Sequence, residues 1–157
     1  MQKIVPFLWF EDKAEEAANF YVSIFKNARI DNVSRYGDAG PGPAGSAMVV
    51  EFQLEGQDFM ALNGGQPNAA SPAIALFVNC ETQAEVDALW DKLSEGGAKL
   101  QCGWLSDKYG FSWNIVPVGL ADLVGGPDPE KAQRAMKAML QMGKLDIDAL
   151  RRAYEGE

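Results

Sequence analysis

The chain runs through one order of elements twice. Ile4–Phe10 is an apolar run rich in β-branched and aromatic residues, the pattern of a buried strand. Asp12 follows as a helix N-cap, with Glu15 completing a capping box. Ala14, Ala17, Ala18, Tyr21 and Phe25 then fall on one face of a helix reaching about Lys26. Strands are expected over Arg29–Tyr36, Ser46–Leu54 and Asp58–Leu62, the last two joined by a tight turn at Glu55-Gly56. The order restarts at Ala73–Asn79. Thr82 and Glu85 repeat the capping box, and Val86, Leu89, Trp90 and Leu93 repeat the apolar helix face. Gly96-Gly97 ends that helix, and Lys99–Cys102, Trp104–Leu105 and Ser112–Pro117 are the remaining strands. Asp12 and Thr82 stand the same interval apart as Phe20 and Trp90. Few residues are shared, so the repeat is one of element order. The expected organisation is an α+β domain of two βαβββ halves, 1–65 and 73–125, joined by a polar linker over 66–72.

A helical tail follows over 126–157. Asp128-Pro129-Glu130 is a strong helix start, with proline at the first helical position. Ala132, Ala135, Met136, Met139 and Leu140 form its apolar stripe, and Gly143 stops it. Asp146 caps a last helix carrying Ile147, Leu150 and Tyr154. A methionine-rich stripe suits a partner's surface, but docking on its own domain or on the other subunit of a dimer is the stronger expectation.

Charge and composition narrow the function. The net charge is −8, which disfavours phosphate backbones and anionic membranes. No run approaches the length of a membrane span, and the N-terminal apolar run is shorter than a signal peptide's apolar region, so no signal peptide is expected. The expected location is cytoplasmic. Cys80 and Cys102 stand apart from each other, without the spacing of a zinc site. The chain has no histidine, so Ser-His-Asp and Cys-His catalytic sets are impossible. Gly40-Pro41-Gly42-Pro43-Ala44-Gly45 matches G-x-G-x-x-G, but a strand rather than a helix follows it. Two prolines also remove amide donors that a phosphate would use. It reads as a hairpin loop, and no cofactor motif stands elsewhere. Most carboxylates, including Glu11, Glu16, Asp87, Asp91 and Glu95, read as solvated helix faces.

Pro6-Phe7-Leu8-Trp9-Phe10, the helix ending Asn19-Phe20-Tyr21, and Asp107-Lys108-Tyr109-Gly110-Phe111-Ser112-Trp113-Asn114 resemble the vicinal oxygen chelate superfamily. This superfamily includes glyoxalase I, bleomycin-resistance proteins and extradiol dioxygenases. The likeness is closer to its PhnB-like branch, whose members carry the label 3-demethylubiquinone-9 3-methyltransferase. The tail Met139–Ile147 also looks like that branch. The resemblance implies tandem βαβββ modules forming an incomplete barrel around a cavity, in a homodimer. In metal-dependent relatives a first-strand histidine would match Pro6, and the last ligand, a glutamate, would match Asn114. Phe59–Gly65 offers no acid for the fourth-strand ligand, and Ser71, Pro72 and Ala73 stand where a further histidine would open the fifth strand. Such a set cannot hold a divalent ion, so no metal site is expected.

Strand alternation then sorts the side chains. If Pro6 and Asn114 face the cavity, so do Leu8, Phe10, Ser112 and Val116, while Trp9 and Trp113 point beneath the helices. Phe77 would share the cavity face with Ala73 and Ala75. Trp104 and Tyr109 stand near the mouth, where contact with a ligand and plain packing are both open. Asn63 reads equally as a turn residue or a ligand contact. The expected ligand contacts are Leu8, Asn63, Phe77, Trp104, Tyr109, Ser112 and Asn114, around a small organic molecule. Two other readings stand beside metal-independent binding: an enzyme such as the methyltransferase of the branch label, and a homodimeric interaction module without ligand.

Overall fold

In the computed structural model, which describes residues 1–157, the duplicated order becomes two open four-stranded sheets of the same topology. The elements are β1 (Phe7–Phe10), α1 (Ala14–Ile24), β2 (Ala28–Arg35), β3 (Ala47–Leu54) and β4 (Gln57–Asn63). The second set is β5 (Ala75–Cys80), α2 (Gln83–Ser94), β6 (Ala98–Lys99), β7 (Trp104–Ser106) and β8 (Ser112–Pro117). The tail holds α3 (Leu120–Val124), α4 (Pro129–Met139) and α5 (Ile147–Glu155). The strand orders are β1-β4-β3-β2 and β5-β8-β7-β6. In each sheet the first strand lies parallel to the last, and the other neighbours are antiparallel. No helix is long and apolar enough to cross a membrane. The chain separates into two units, Met1–Ala69 and Ala70–Glu157.

In the first unit α1 packs on one face of the sheet. Tyr21 stacks on Phe52, with ring centroids 6.3 Å apart, and Phe52 stacks on Phe59 at 5.3 Å. Such aromatic pairs add about 0.5–1.5 kcal/mol each beyond their buried area. Val50, Ala61, Leu8 and Phe10 share this face, because directly paired residues point the same way and Leu8 pairs Ala61, which pairs Val50. The expectation for β1 is therefore reversed. Leu8 and Phe10 lie on the helix side, while Phe7 and Trp9, 57 % and 40 % exposed, lie on the open face. Trp9 is held there by donating from Nε1 to the Gln66 carbonyl, across Gly64, where a Cβ would collide with the indole.

The start of α1 also departs from expectation. The N-cap position is Lys13, without a side-chain cap bond. Asn63, from the end of β4, accepts from the Ala14 N–H at 2.8 Å instead. A distant side chain thus satisfies a donor that helix starts leave orphaned. The loop after β2 closes a β2–β3 hairpin, as expected, with Gly45 N–H bonded to the Tyr36 carbonyl. Gly40 and Gly42 lie flat on the Tyr36 ring, where a Cβ would collide.

In the second unit α2 starts as the sequence indicates: Thr82 Oγ1 accepts from Glu85 N–H. Its buried face, Val86, Leu89, Trp90 and Leu93, covers one side of the second sheet together with Trp113, Leu105 and Ile115. The tail folds back onto this unit. Asp128 and Asp146 cap α4 and α5, which pack on each other and on α3. The short helix α3 has no counterpart in the sequence reading. Leu145 is fully buried.

Candidate functional site

The segment Asp107–Trp113 explains its own sequence. Asp107, 2 % exposed, accepts through Oδ1 from the Tyr109 and Phe111 N–H groups at 2.9 and 3.0 Å. Its Oδ2 accepts from Trp113 Nε1 at 2.9 Å. The Asp107 carbonyl takes the Gly110 N–H, and Gly110 adopts φ 89°, a conformation glycine supplies without strain. One buried carboxylate thus builds the β7–β8 turn and pins the indole. The spacing D-x-x-G-x-x-W is a structural device that sets the register Ser106↔Ser112, Leu105↔Trp113, Trp104↔Asn114.

That register decides what the open face presents. Trp113 and Ile115 go to the helix side; Ser112, Asn114 and Val116 go to the other, as strand alternation predicts. Asn114 pairs Phe77 on β5 and Trp104 on β7, so Phe77, Asn114 and Trp104 form one row across the sheet. Phe77 is 60 % exposed, Trp104 38 % and Asn114 7 %. The next row toward the turn is Ala75, Ser112 and Ser106; the next away from it begins Asn79, Val116. The amide of Asn114 is oriented by its Nδ2, which donates to the Cys102 carbonyl at 3.2 Å. Its Oδ1 is left as the acceptor.

Cys102 and Gly103 form a left-handed corner, with φ 55° and 81°. A non-glycine residue there carries backbone strain. The tail holds the corner: Cys102 N–H donates to the Met142 carbonyl and Gly103 N–H to the Gly143 carbonyl at 2.8 and 2.7 Å. Gln83 clamps the same strap, its side-chain amide bonding the Leu145 carbonyl and the Ile147 N–H. Lys144 pairs Asp87 at 2.9 Å. This contact holds the Asp87 carboxyl below its ordinary range, assisted by Gln83, and raises Lys144.

Of the seven expected ligand contacts, the structure brings Phe77, Trp104, Ser112 and Asn114 onto one face. Tyr109 sits in the turn, with the Lys108 ammonium 5.6 Å from its ring centroid. Leu8 lies on the helix side of the first sheet. Asn63 spends its amide internally, Oδ1 on Ala14 N–H and Nδ2 on the Ala47 carbonyl. Sequence reasoning missed Phe7 and Trp9 on the open face of the first sheet. The interval relating Phe20 to Trp90 also relates Phe7 to Phe77, and following it would have found them. Also missed was a hollow of about 250 Å³ beside Phe77, between Val116 and α3.

The metal ion of metal-dependent relatives finds no fitting donors. No three His, Cys, Asp or Glu side chains converge, and Asn114, which the resemblance sets against the glutamate ligand, already gives its Nδ2 to a backbone carbonyl.

Residues 2–116 match the family model described as 3-demethylubiquinone-9 3-methyltransferase. The chain belongs to this PhnB-like family. Among solved structures it is similar to a Bacillus cereus PhnB protein described as a 3-demethylubiquinone-9 3-methyltransferase. The two share 42 % identity over 74 % of this chain and 100 % of that one, with a TM-score of 0.70. Protein PA1353 of Pseudomonas aeruginosa shares the fold at 22 % identity, over 74 % of this chain and 98 % of that one, with a TM-score of 0.62. A glyoxalase/bleomycin-resistance protein of Albidiferax ferrireducens T118 is a looser neighbour, at 14 % identity over 68 % of this chain and 90 % of that one, with a TM-score of 0.46. No curated protein matches. The PhnB-like family match ends inside β8, so α3, α4 and α5 lie beyond it.

Proposed function

We propose that this protein is a metal-independent small-molecule-binding protein that holds a flat organic molecule on the open face of its second sheet. The row Phe77–Asn114–Trp104 carries the reading. Strands are spaced about 4.8 Å apart, so the flanking residues stand roughly 10 Å apart at the backbone. One ring between them would rest within about 3.5–4 Å of each aromatic face. Asn114 Oδ1 lies beneath as an acceptor, which favours a ring bearing a donor such as a hydroxyl or amino group. Ser112 adds a hydroxyl in the next row, on the side of the turn that carries Tyr109. Two half-exposed aromatics beside a buried, oriented amide form a preorganised contact surface. Leu8 and Asn63 have no part in it. The same reading has the protein act in the cytoplasm as a homodimer, in keeping with its acidic balance.

The test is native mass spectrometry of freshly purified protein for a co-purifying molecule, followed by equilibrium dialysis of that molecule with and without EDTA. Binding is expected to survive EDTA and to fall at least tenfold in Asn114→Ala and Trp104→Ala. Loss of binding with EDTA would overturn metal independence. Unchanged binding in both variants would overturn the site. A second reading, methyl transfer, rests on the family's description. Calorimetry with S-adenosylmethionine tests it, and clear micromolar binding would put it first.

A further inference from the structure

The hollow beside Phe77 is lined by Asn79 and Val116 from the open face of the sheet and by Leu120, Ala121 and Val124 from α3. Phe77 belongs both to the hollow and to the row, and Val116 is the next residue after Asn114 on the same side of β8. The hollow therefore continues the surface on which a ring would lie, about 7 Å further along the strands. Its lining is apolar except for Asn79. Its volume, about 250 Å³, admits roughly eight water-sized groups at about 30 Å³ each. That is too small for a whole ligand of ordinary size and suited to one substituent.

The wall is built by the tail. The short helix α3 follows directly from β8 through Gly119 at φ 93° and packs against α4 and α5. The segment between α4 and α5 is strapped to α2 by Gln83 and by the Lys144–Asp87 pair, and to the corner before β7 by the bonds from Cys102 and Gly103. One strap thus fixes the Cys102 carbonyl that orients Asn114, and the helices that back α3. Polar recognition and the apolar wall are set by the same segment, which lies outside the family match.

We propose that the hollow receives an unbranched apolar arm of the ligand, so that the bound class is an aromatic ring with a hydrogen-bond donor and an alkyl or similar substituent of about four to eight carbons. The proposal rests on the ring-binding reading above. The probes are the n-alkyl esters of 4-hydroxybenzoic acid, from methyl to octyl, titrated into the full chain and followed by tryptophan fluorescence. The hollow is open on one side, so each added methylene is only partly buried and is expected to tighten binding about twofold until the hollow is filled. Ala121→Trp and Asn79→Phe, both at exposed positions, fill it. In both, the methyl ester should bind within twofold of the parent while the chain-length dependence disappears. If the methyl ester binds but longer esters bind no tighter, the hollow takes no arm and the proposal fails while the ring site stands. A chain-length dependence that persists in both variants overturns it equally. If no ester binds, the ring-binding reading fails and takes this proposal with it.

Discussion

Replacing Asp107 tests whether one buried carboxylate organises the β7–β8 turn. Its oxygens receive two backbone N–H groups and the Trp113 indole. In Asp107→Ala all three donors lose their acceptor. The indole N–H is buried and costs about 1–3 kcal/mol unsatisfied, while the two part-buried amides recover part of their loss from water. We expect a destabilisation of about 3–5 kcal/mol. Asp107→Asn is more informative. Its amide oxygen can serve the backbone donors, but its NH₂ then faces the indole N–H, donor against donor, at a cost of about 1.5–3 kcal/mol. Trp113→Phe removes that opposing donor, so Asp107→Asn should cost at least about 1 kcal/mol less in the Trp113→Phe background. Urea unfolding followed by far-UV circular dichroism, on the parent, both single variants and the double variant, measures the coupling. Additive losses, within about 0.3 kcal/mol, would refute a direct bond between the two side chains. A loss below about 1 kcal/mol for Asp107→Ala would refute the organising role altogether.

Asn63→Ala removes the bond to the Ala14 N–H and the bond to the Ala47 carbonyl; we expect about 1–3 kcal/mol of lost stability and faster hydrogen exchange confined to the first turn of α1 and its neighbours. Gln83→Ala frees the strap at Leu145 and Ile147, and limited proteolysis should then cut near 140–146 several-fold faster, with the rest of the chain resistant. Cys80 is fully buried, and burial, with Glu85 assisting, pushes its thiol from 9.0 up to about 12. Between those values the unfolded chain loses the proton first, so stability is unaffected below pH 9 and falls above it, by about 1.4 kcal/mol per pH unit from this group. Urea midpoints at pH 8, 10 and 11 should show a steeper decline for the parent than for Cys80→Ala.

Much of the fold is legible where the signal is local. Thr82, Asp128 and Asp146 cap their helices as their spacing indicates, because a cap needs only the next few residues. The β8 parity is legible for a similar reason: Trp113 is tied to Asp107, a few positions away. The errors lie where a distant residue decides. Asp12 looks like the cap of α1, but Asn63 supplies the bond, and nothing near Asp12 records that. Leu8 and Trp9 are assigned to the wrong faces because a four-residue apolar strand carries too little alternation to fix its own phase. The phase comes instead from pairing with β4, where Leu8 meets Ala61. Helix α3 is too short for a periodic pattern to announce it. Within the candidate site, Phe77, Ser112 and Asn114 follow from alternation, whereas the hollow depends on where the tail turns back.

The strand orders bear on how the chain is made as well as on what it becomes. Each sheet pairs its earliest strand with its latest, and no strand of one sheet is shared with the other. During synthesis β1 must wait, unpaired on the side that β4 will cover, until Asn63 has left the ribosome. The first sheet can then close before β5 is made, because all its partners lie within Met1–Ala69. The second repeats the delay with β5 and β8. Its turn at Asp107 comes just before its closing strand, so a buried carboxylate that seeds the β7–β8 hairpin would shorten that wait. Repeats with later partners are prone to pairing across copies, and confining each closure to its own half limits that exposure to one strand at a time.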